Sequence, residues 1–537
     1  MRPAVPAETT SPEPTPAIKT PSGRFWFESL LVFLVLLVAV GDPAPMVNEA
    51  HYLCRLKHYW NPEYCPGDLF LESPDAHFTV VWLFGWVTRF LSLPATAWLG
   101  RVISWALLAV AWRRLVGRVS DLPFLAPLSA GLLWLGVSQG NLAGEWIFGG
   151  FEAKSLAYGF VLLGLTDAID ARWNRAWVLL GVASAMHALV GGWSVVALGA
   201  VWLTAKERPK LPSMAPGLLA GGLLSLAGVL PALALNTGAN ADQVHEADNI
   251  YVHFRLPHHL ALLSKGSAWL ANRAGRHAVV VALLAMLTWA RAASDRRSVH
   301  LLIRFAWAAE AISLIGLVIG WIDPPWGASV LKYYWHRLAD IAAPMAVALL
   351  LIEAIDAGWR TRRGLAALST FALTLVVAWN LGGIAAQRSQ RPIAPCDKRM
   401  RDPAAWREMG DWVRENTEPD ALLLVPQTSQ SFKWHAERGE VVTRKDIPQD
   451  ALSMIEWRRR LSDIFQIGEW ADGTTRWTPS YAHLGAGRLR ELAEAYGADY
   501  ALDQATGRDA GMPLRHRASL PIVHRVGPYT LYDLRDE

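Results

Sequence analysis

The sequence contains little charge for its length. Aspartate, glutamate, lysine and arginine make up 18% of its 537 residues, against 52% for apolar residues. It also lacks the Walker phosphate loop, a Rossmann glycine fingerprint after a strand, the HExxH zinc motif and the serine elbow. The missing motifs argue against cytoplasmic nucleotide chemistry, and nothing in the sequence indicates nucleic-acid binding. The net charge of +4 separates none of the remaining classes, because the sidedness of the charges matters more than their sum.

Cysteine is scarce as well, with three residues in the chain. Cys54 and Cys65 lie eleven residues apart in the first polar loop, and Cys396 stands alone. A disulfide between the first two requires an oxidising compartment. Two free thiols explain the same pair equally well, so the sequence leaves both states open.

Long apolar blocks of membrane-spanning length fill the first two thirds of the chain, and many of the 27 tryptophans lie at their ends. The first block begins at Phe25, and no small-residue cleavage site follows it, which indicates a retained span. Residues 1–22 are rich in proline, threonine, serine and glutamate and are predicted to be a disordered cytoplasmic N-terminus. We therefore predict a mainly α, polytopic helical membrane protein.

About eleven spans are predicted within a transmembrane domain of residues 23–390. After the first span, the blocks are Ala95–Leu115, Pro123–Val137, Leu156–Ile169, Ala176–Val190, Trp193–Ala205, Pro216–Leu235, Ala278–Ala290, Leu301–Trp321, Ala339–Ile355 and Ala366–Leu381. A tight turn is expected at Gly191–Gly192. The short apolar piece His77–Leu93 contains Arg89 and ends before Pro94, so we predict an interfacial segment and not a crossing.

The basic clusters between the blocks predict the orientation. With His77–Leu93 outside the membrane, all of these clusters fall on one side, which the positive-inside rule assigns to the cytoplasm. The N-terminus is then cytoplasmic in a plasma (inner) membrane, and residues 395–537 form a small extracytoplasmic α/β domain. Its predicted helices include Trp406–Glu415 and Leu452–Phe465, and its end reads as a hairpin. Arg388, placed on the outer side, departs from the rule.

The predicted outer loops collect most of the unusual polar residues. The first acidic loop, 42–95, begins with Asp42 and Glu49 directly after the first span. Carboxylates at that depth are costly and usually functional, and either can serve as a general base for an acceptor hydroxyl. The alternatives are a helix cap at Asp42, which precedes Pro43, and an ordinary loop charge at Glu49.

A second acidic loop, 139–154, carries Glu145 and Glu152 among several glycines. In a functional role these carboxylates would face the first acidic loop, and a divalent cation shared between the loops is one option; the sequence assigns no metal. The alternative for Glu152 is a helix N-terminus, where an acid is favourable in any protein.

Candidate anion-binding side chains follow in the third outer loop, 236–277. Arg255 and His258 suit a phosphate group, and a plain surface loop is the alternative. Lys332 and Arg337 enter a later span from its outer end. They suit a lipid phosphate, or they snorkel to membrane lipid headgroups.

The stretch Asn48-Glu49-Ala50-His51-Tyr52-Leu53 resembles the Asp-Glu-x-x-Tyr signature that follows the first span in GT-C membrane glycosyltransferases, with Asn48 in place of the aspartate. Protein O-mannosyltransferases, aminoarabinose transferases and oligosaccharyltransferases belong to this class. The order of acidic loops, spans and an outer α/β domain is similar too. Trp406–Pro426 and Tyr496–Tyr500 resemble the tail domains of bacterial GT-C-like proteins.

This resemblance implies inverting transfer of a hexose or pentose from a polyprenyl-phosphate donor to a glycan, lipid or protein acceptor on the outer face. Some relatives use a divalent cation such as Mg²⁺ or Mn²⁺, and others use none. The implied site comprises a general base (Glu49 or Asp42), the second acidic loop (Glu145, Glu152), phosphate-binding side chains (Arg255, His258, Lys332, Arg337) and sugar-stacking aromatics (Tyr52, Trp60).

Two other functions fit the same sequence. A transporter or lipid flippase would place ionisable residues in mid-span and repeat its two halves, whereas the sequence has no internal repeat and its polar residues lie at outer span ends. A non-catalytic scaffold whose tail domain binds partners is the other alternative, and Asn48 in the signature favours it.

Overall fold

The computed structural model describes residues 23–469, 474–478, 480–481, 484–504 and 520–535. The segment predicted to be disordered, 1–22, lies outside the described residues. The other predicted elements fall within them.

Residues 23–390 form the membrane half of the fold. Its helices, in chain order, are α1 (Gly23–Val40), α2 (Glu49–Trp60), α3 (Leu69–Glu72), α4 (Phe78–Phe84), α5 (Leu93–Val116), α6 (Leu125–Gly140), α7 (Ala153–Ile169), α8 (Trp173–Met186), α9 (Ala188–Thr204), α10 (Leu211–Ala234), α11 (Ala241–Asn249), α12 (Pro257–Leu260), α13 (Ser267–Ala290), α14 (Arg297–Ile322), α15 (Gly327–Leu331), α16 (Ala339–Thr361) and α17 (Arg363–Gln390). Gly85–Arg89 and Leu262–Lys265 are 3₁₀ turns, and Ile250–Arg255 is a π-helix.

Every predicted apolar block is helical, although the block Ala176–Val190 contains the break between α8 and α9. Within the described residues, seven helices are long and apolar enough to cross a membrane: α1, α5, α10, α13, α14, α16 and α17. The shorter α6 to α9 fill the other predicted positions, so the protein is a polytopic α-helical membrane protein, and eleven crossings stay a prediction. Helix α16 is the central one, with 78% of its apolar window buried, whereas only 11% is buried in α17.

The break between α8 and α9 lies at His187. The predicted turn at Gly191–Gly192 is therefore wrong, because both glycines lie inside α9. Gly191 is needed for close packing instead of for a turn. A Cβ atom there would lie 2.2 Å from the backbone nitrogen of Ser184 in α8, and small residues let helices approach in a membrane.

The basic clusters do gather at one end of the bundle, opposite the tail domain. Arg24 and Arg113 both pair with the buried Glu28, at 2.8 and 2.5 Å. Arg296 pairs with Asp356 at 2.6 Å, and Ser120 donates to the same carboxylate. This arrangement agrees with the side that the positive-inside rule groups together, although the direction of the bundle in the membrane stays a prediction.

The opposite end of the bundle, which we call the loop face, carries the first and second acidic loops. The first acidic loop is folded around α2, α3 and α4. The segment His77–Leu93 forms only α4 and a 3₁₀ turn, too short to cross a membrane, and exposes Trp82, Trp86 and Phe90. The three cysteines are buried and free.

Residues 395–537, the tail domain, contain a small mixed sheet and helices against it. The elements are α18 (Pro403–Asn416), β1 (Leu422–Leu424), α19 (Phe432–Ala436), β2 (Gly439–Glu440), α20 (Ala451–Phe465), β3 (Gln466–Glu469), β4 (Thr475–Trp477), α21 (Gly485–Tyr496), β5 (Tyr500–Gln504), β6 (Ile522–Val526) and β7 (Tyr529–Asp533). The main sheet has the order β2-β1-β5-β7-β6. Strands β1, β2 and β5 run parallel, and the predicted C-terminal hairpin β6–β7 completes the antiparallel edge.

Candidate functional site

Glu49 begins α2 and is fully buried at the base of the loop face. Its Oε1 accepts from Nε of Arg101 at 2.6 Å and from the backbone N–H of Phe151 at 2.8 Å. Its Oε2 accepts from Nη2 of Arg101 at 2.5 Å and from the backbone N–H of Met46 at 2.8 Å. A carboxylate has about four lone-pair sites, so Glu49 is saturated by protein donors.

Arg101 comes from the middle of the apolar helix α5, where an arginine requires a partner. The ion pair thus joins α2, α5 and the second acidic loop. Gly150 permits this approach, because a Cβ atom there would lie 2.6 Å from Cγ of Glu49. The four acceptor sites of Glu49, which the sequence suggests as a general base, are thus occupied by donors of the protein.

Asp42 lies above this ion pair and is more accessible, with its side chain 20% exposed. It faces Arg388 at 3.2 Å and Lys398 at 3.7 Å. Its backbone carbonyl accepts from Nη1 of Arg101 at 2.6 Å. Arg388, which departs from the positive-inside rule, is therefore used as a partner for Asp42.

The second acidic loop is organised by cations of the protein. Lys154 places its Nζ 3.3 Å from Glu145 and 3.4 Å from Glu152, above the ring of Trp146. Arg337 approaches the other oxygen of Glu145 at 3.0 Å. The buried carboxylate of Asp340 fixes the loop backbone by accepting three N–H bonds at 2.6 to 3.0 Å.

Asn48 connects the two acidic loops to the tail domain. Its Nδ2 donates to Glu152 at 3.2 and 3.3 Å, and its Oδ1 accepts from Nζ of Lys445 at 2.5 Å. An amide can satisfy an acid on one side and an ammonium on the other, which a carboxylate cannot do. The predicted facing of the two loops is thus present through Asn48 and Glu152.

The four predicted phosphate-binding side chains have different environments. Lys332 is paired with Asp248 at 2.8 Å. Arg337 donates to His187 at 3.0 Å and stacks on Tyr334 besides its pairing with Glu145. Each of these two cations therefore has a carboxylate partner.

Arg255 and His258 differ from that pair. Arg255 donates to the backbone carbonyl of Lys445 at 3.2 Å, and no partner within the described residues reaches its Nε. Burial and the neighbouring Arg255 lower the pKa of His258 to about 4. His258 is therefore neutral at pH 7, whereas Arg255 keeps its charge.

The two aromatic residues predicted to stack on a sugar, Tyr52 and Trp60, lie in different parts of the loop face. Tyr52 packs edge-on against His51 and His77, near the second acidic loop. Trp60 lies two turns further along α2, which is about 12 Å. Its indole donates to the carbonyl of Val81 at 2.9 Å, so Trp60 supports the interfacial segment and only Tyr52 lies at the site.

The tail domain is attached to the first acidic loop through a buried charged cluster. Lys433 lies 2.9 Å from Asp68, 2.9 Å from Glu440 and 2.6 Å from Asp446. His51 bonds to the other oxygen of Asp446 at 2.8 Å. Burial lowers the pKa of His51 to about 4 and raises the pKa of Glu440 above its usual range. These contacts hold the tail domain on the loop face.

The side chains present do not fit the predicted divalent cation. Across the described part of the chain, no three His, Cys, Asp or Glu residues converge on one point. The ammonium of Lys154 lies between Glu145 and Glu152, where a shared cation would have to sit.

Sequence reasoning missed Arg101, Lys154, Lys433 and Lys445 as parts of this site. Arg101 had a signal, since an arginine inside an apolar block demands a carboxylate. Lys433 and Lys445 had no such signal, because their partners Asp68 and Asn48 lie more than 360 residues away in the sequence.

Sequence comparison gives limited information. Among curated proteins, none matches this chain. The family described as a domain of unknown function, DUF6798, matches residues 404–464. That region runs from α18 to α20 and contains Lys433 and Lys445.

Solved structures are more informative about the fold. ArnT from Cupriavidus metallidurans, in the apo state, is 13% identical with a TM-score of 0.50, over 95% of this chain and 97% of that one. The Archaeoglobus fulgidus oligosaccharyltransferase, in complex with zinc and sulfate, is 12% identical with a TM-score of 0.44, over 90% and 68%. The same organism's AglB, in complex with an inhibitory peptide and a dolichol-phosphate, is 13% identical with a TM-score of 0.42, over 90% and 69%. Because the similarity to ArnT extends over nearly all of both chains, this protein has the fold of the GT-C membrane glycosyltransferases.

Proposed function

We propose that the protein is a membrane glycosyltransferase that moves a sugar from a lipid-linked, polyprenyl-phosphate donor to an acceptor hydroxyl at the loop face. The observation that carries the proposal is the meeting of Glu152, Tyr52 and the cations Arg255 and Lys445 where the acidic loops contact the tail domain. Such a place offers a base, an aromatic surface for a sugar, and positive charge for a phosphate. The fold shared with ArnT supports the same class of reaction.

We assign the general base to Glu152, with Asp42 as the second candidate. Glu152 is held only by long contacts of 3.2 to 3.4 Å, to Asn48, Trp146 and Lys154. These contacts are longer than the 2.5 to 2.8 Å contacts of Glu49, so an acceptor hydroxyl can replace one of them and give its proton to Glu152. Glu49 has no lone pair free, because its four acceptor sites are filled.

The reaction follows from this assignment. As Glu152 takes the proton, the acceptor oxygen forms a bond to the anomeric carbon from the face opposite the phosphate. The bond between that carbon and the phosphate oxygen breaks, and the lipid phosphate leaves with the electron pair. The configuration inverts, and Arg255 stabilises the charge that develops on the leaving group.

Two alternatives to a glycosyltransferase, a non-catalytic scaffold and a transporter, make different predictions. Asn48 no longer favours a scaffold, because its amide has specific partners on both sides. An ion pair between His277 and Glu310, 3.2 Å long and inside the bundle, is the observation that favours transport. A transporter would move its solute in the absence of any transfer reaction.

The test is a transfer assay with purified protein in nanodiscs and labelled polyprenyl-phosphate sugars. Glu152→Gln should lower the rate by about 100-fold or more, while Glu246→Gln, an exposed acid on α11, should match wild type. If Asp42→Asn loses transfer activity and Glu152→Gln keeps it, Asp42 is the general base. Wild-type protein that transfers no sugar from any donor would refute the proposed function.

A further inference from the structure

Arg255 and Lys445 are cations of the loop face that lack a carboxylate partner. Among the described residues, no ion pair involves Arg255 or Lys445. Five other buried cations at the loop face are paired within 4 Å: Arg55 with Asp75, Arg101 with Glu49, Lys154 with Glu145 and Glu152, Arg337 with Glu145, and Lys433 with Asp68, Glu440 and Asp446. Arg444 also has no ion pair among the described residues, but its guanidinium lies over the ring of Phe254.

The two cations come from different parts of the fold and meet at one junction. Arg255 ends the π-helix of the membrane half, and Lys445 follows β2 in the tail domain. Nη2 of Arg255 donates to the carbonyl of Lys445 at 3.2 Å, and Nε of Arg255 is buried without a partner. Keeping two like charges together costs free energy, which an anionic ligand between them would offset.

Asn48 keeps Lys445 uncompensated. The ammonium of Lys445 bonds to the amide oxygen of Asn48 at 2.5 Å, a neutral acceptor that leaves its charge available. An aspartate at this position would neutralise Lys445. Its second carboxylate oxygen would replace the amide nitrogen of Asn48, which lies 3.2 Å from Oε2 of Glu152, and two carboxylates would then repel each other. The asparagine in the signature thus preserves both the cation and the acid.

We propose that Arg255 and Lys445 form a single phosphate-binding site across the junction, so that the tail domain contributes directly to binding of the lipid-linked donor. The inference rests on the proposed function for the identity of the ligand, whereas the anion site rests on the contacts alone. Burial and the nearby Arg255 lower the pKa of Lys445 to about 8, although Asp446 and Glu152 act in the opposite direction. It follows that the tail domain must be docked for the donor to bind fully.

The experiment measures binding of polyprenyl phosphate to the full-length protein in nanodiscs of neutral phosphatidylcholine, with inorganic phosphate as a second probe. Lys445→Met should weaken binding about 10- to 100-fold, the loss of one charge-assisted hydrogen bond. Asn48→Asp should weaken it in the same direction, and Lys445→Arg should restore it. Lys265→Met, which removes an exposed cation of the same outer loop, is the matched control.

The outcomes separate the inference from the proposed function. Wild-type affinity in Lys445→Met, with wild-type elution, would overturn the inference even if sugar transfer is observed. Lys445-dependent binding without transfer to any acceptor would support the anion site and refute the glycosyltransferase. Equal Lys445-dependent binding of inorganic phosphate would support the site and show that the phosphate group, and not the lipid, is recognised.

Discussion

Replacing Glu49 by glutamine tests whether this carboxylate positions the loops or performs chemistry. Glutamine has one carbonyl oxygen and an NH₂ group, so two of the four donors now around Glu49 would face another donor. Arg101, which is fully buried, would lose its counter-charge. Removing one partner of a buried ion pair costs about 3–5 kcal/mol, which corresponds to roughly a 10²- to 10⁴-fold shift in the folding equilibrium.

The free energy of unfolding would be measured by SDS titration in mixed micelles, alongside the transfer assay. We expect Glu49→Gln to lose stability and activity together, and Glu246→Gln to lose neither. The double variant Glu49→Met/Arg101→Met should recover most of the stability, since apolar replacement of a buried pair is often close to neutral. A Glu49→Gln protein as stable as wild type but without transfer would falsify the positioning role and make Glu49 the base.

Two further predictions concern the attachment of the tail domain. Lys433→Met leaves three buried carboxylates without their cation, so limited proteolysis should release the tail domain faster than in wild type. The control Arg490→Met, at an exposed position, should release it at the wild-type rate. Equal rates of cleavage in Lys433→Met and wild type would contradict the role of Lys433. Because His51 has its pKa lowered from 6.5 to about 4 by burial, the folded state binds fewer protons between these values. The unfolding midpoint should therefore fall as the pH drops from 6.5 through 4, less so in His51→Gln, and identical profiles for the two proteins would refute this assignment.

Hydropathy alone gave the correct order of helices in the bundle. Apolar length, the tryptophans at block ends and the side of the basic clusters are local properties, and each predicted block is helical. The segment His77–Leu93, which is interrupted by Arg89, contains only a seven-residue helix and a 3₁₀ turn before α5, and its place at the membrane interface stays a prediction. The turn at Gly191–Gly192 failed because glycine serves helix packing as readily as a turn, and sequence spacing does not distinguish the two uses.

The site was only partly predictable. The acidic loops and Arg255 were found because ionisable residues beside apolar blocks are rare and therefore informative. The roles of the individual carboxylates could not be predicted, because the role of a carboxylate depends on which donors surround it. Glu49 and Glu152 look alike in sequence, yet Glu49 is held by short bonds from Arg101 and two backbone N–H groups, whereas Glu152 is held by longer contacts of 3.2 to 3.4 Å.

The sequence by itself determined the membrane class, the helix order, the acidic loops and the separate tail domain, because these follow from hydropathy and charge along the chain. Only the tertiary structure decided which charges are compensated. Asn48 meets Lys445 across 397 positions in the sequence, and Lys433 meets Asp68 across a similar separation. Electrostatic partnership acts over a few ångströms in space and is independent of distance along the chain, so the pairing of charges, and with it the candidate phosphate site, emerges only when the tail domain is placed on the loop face.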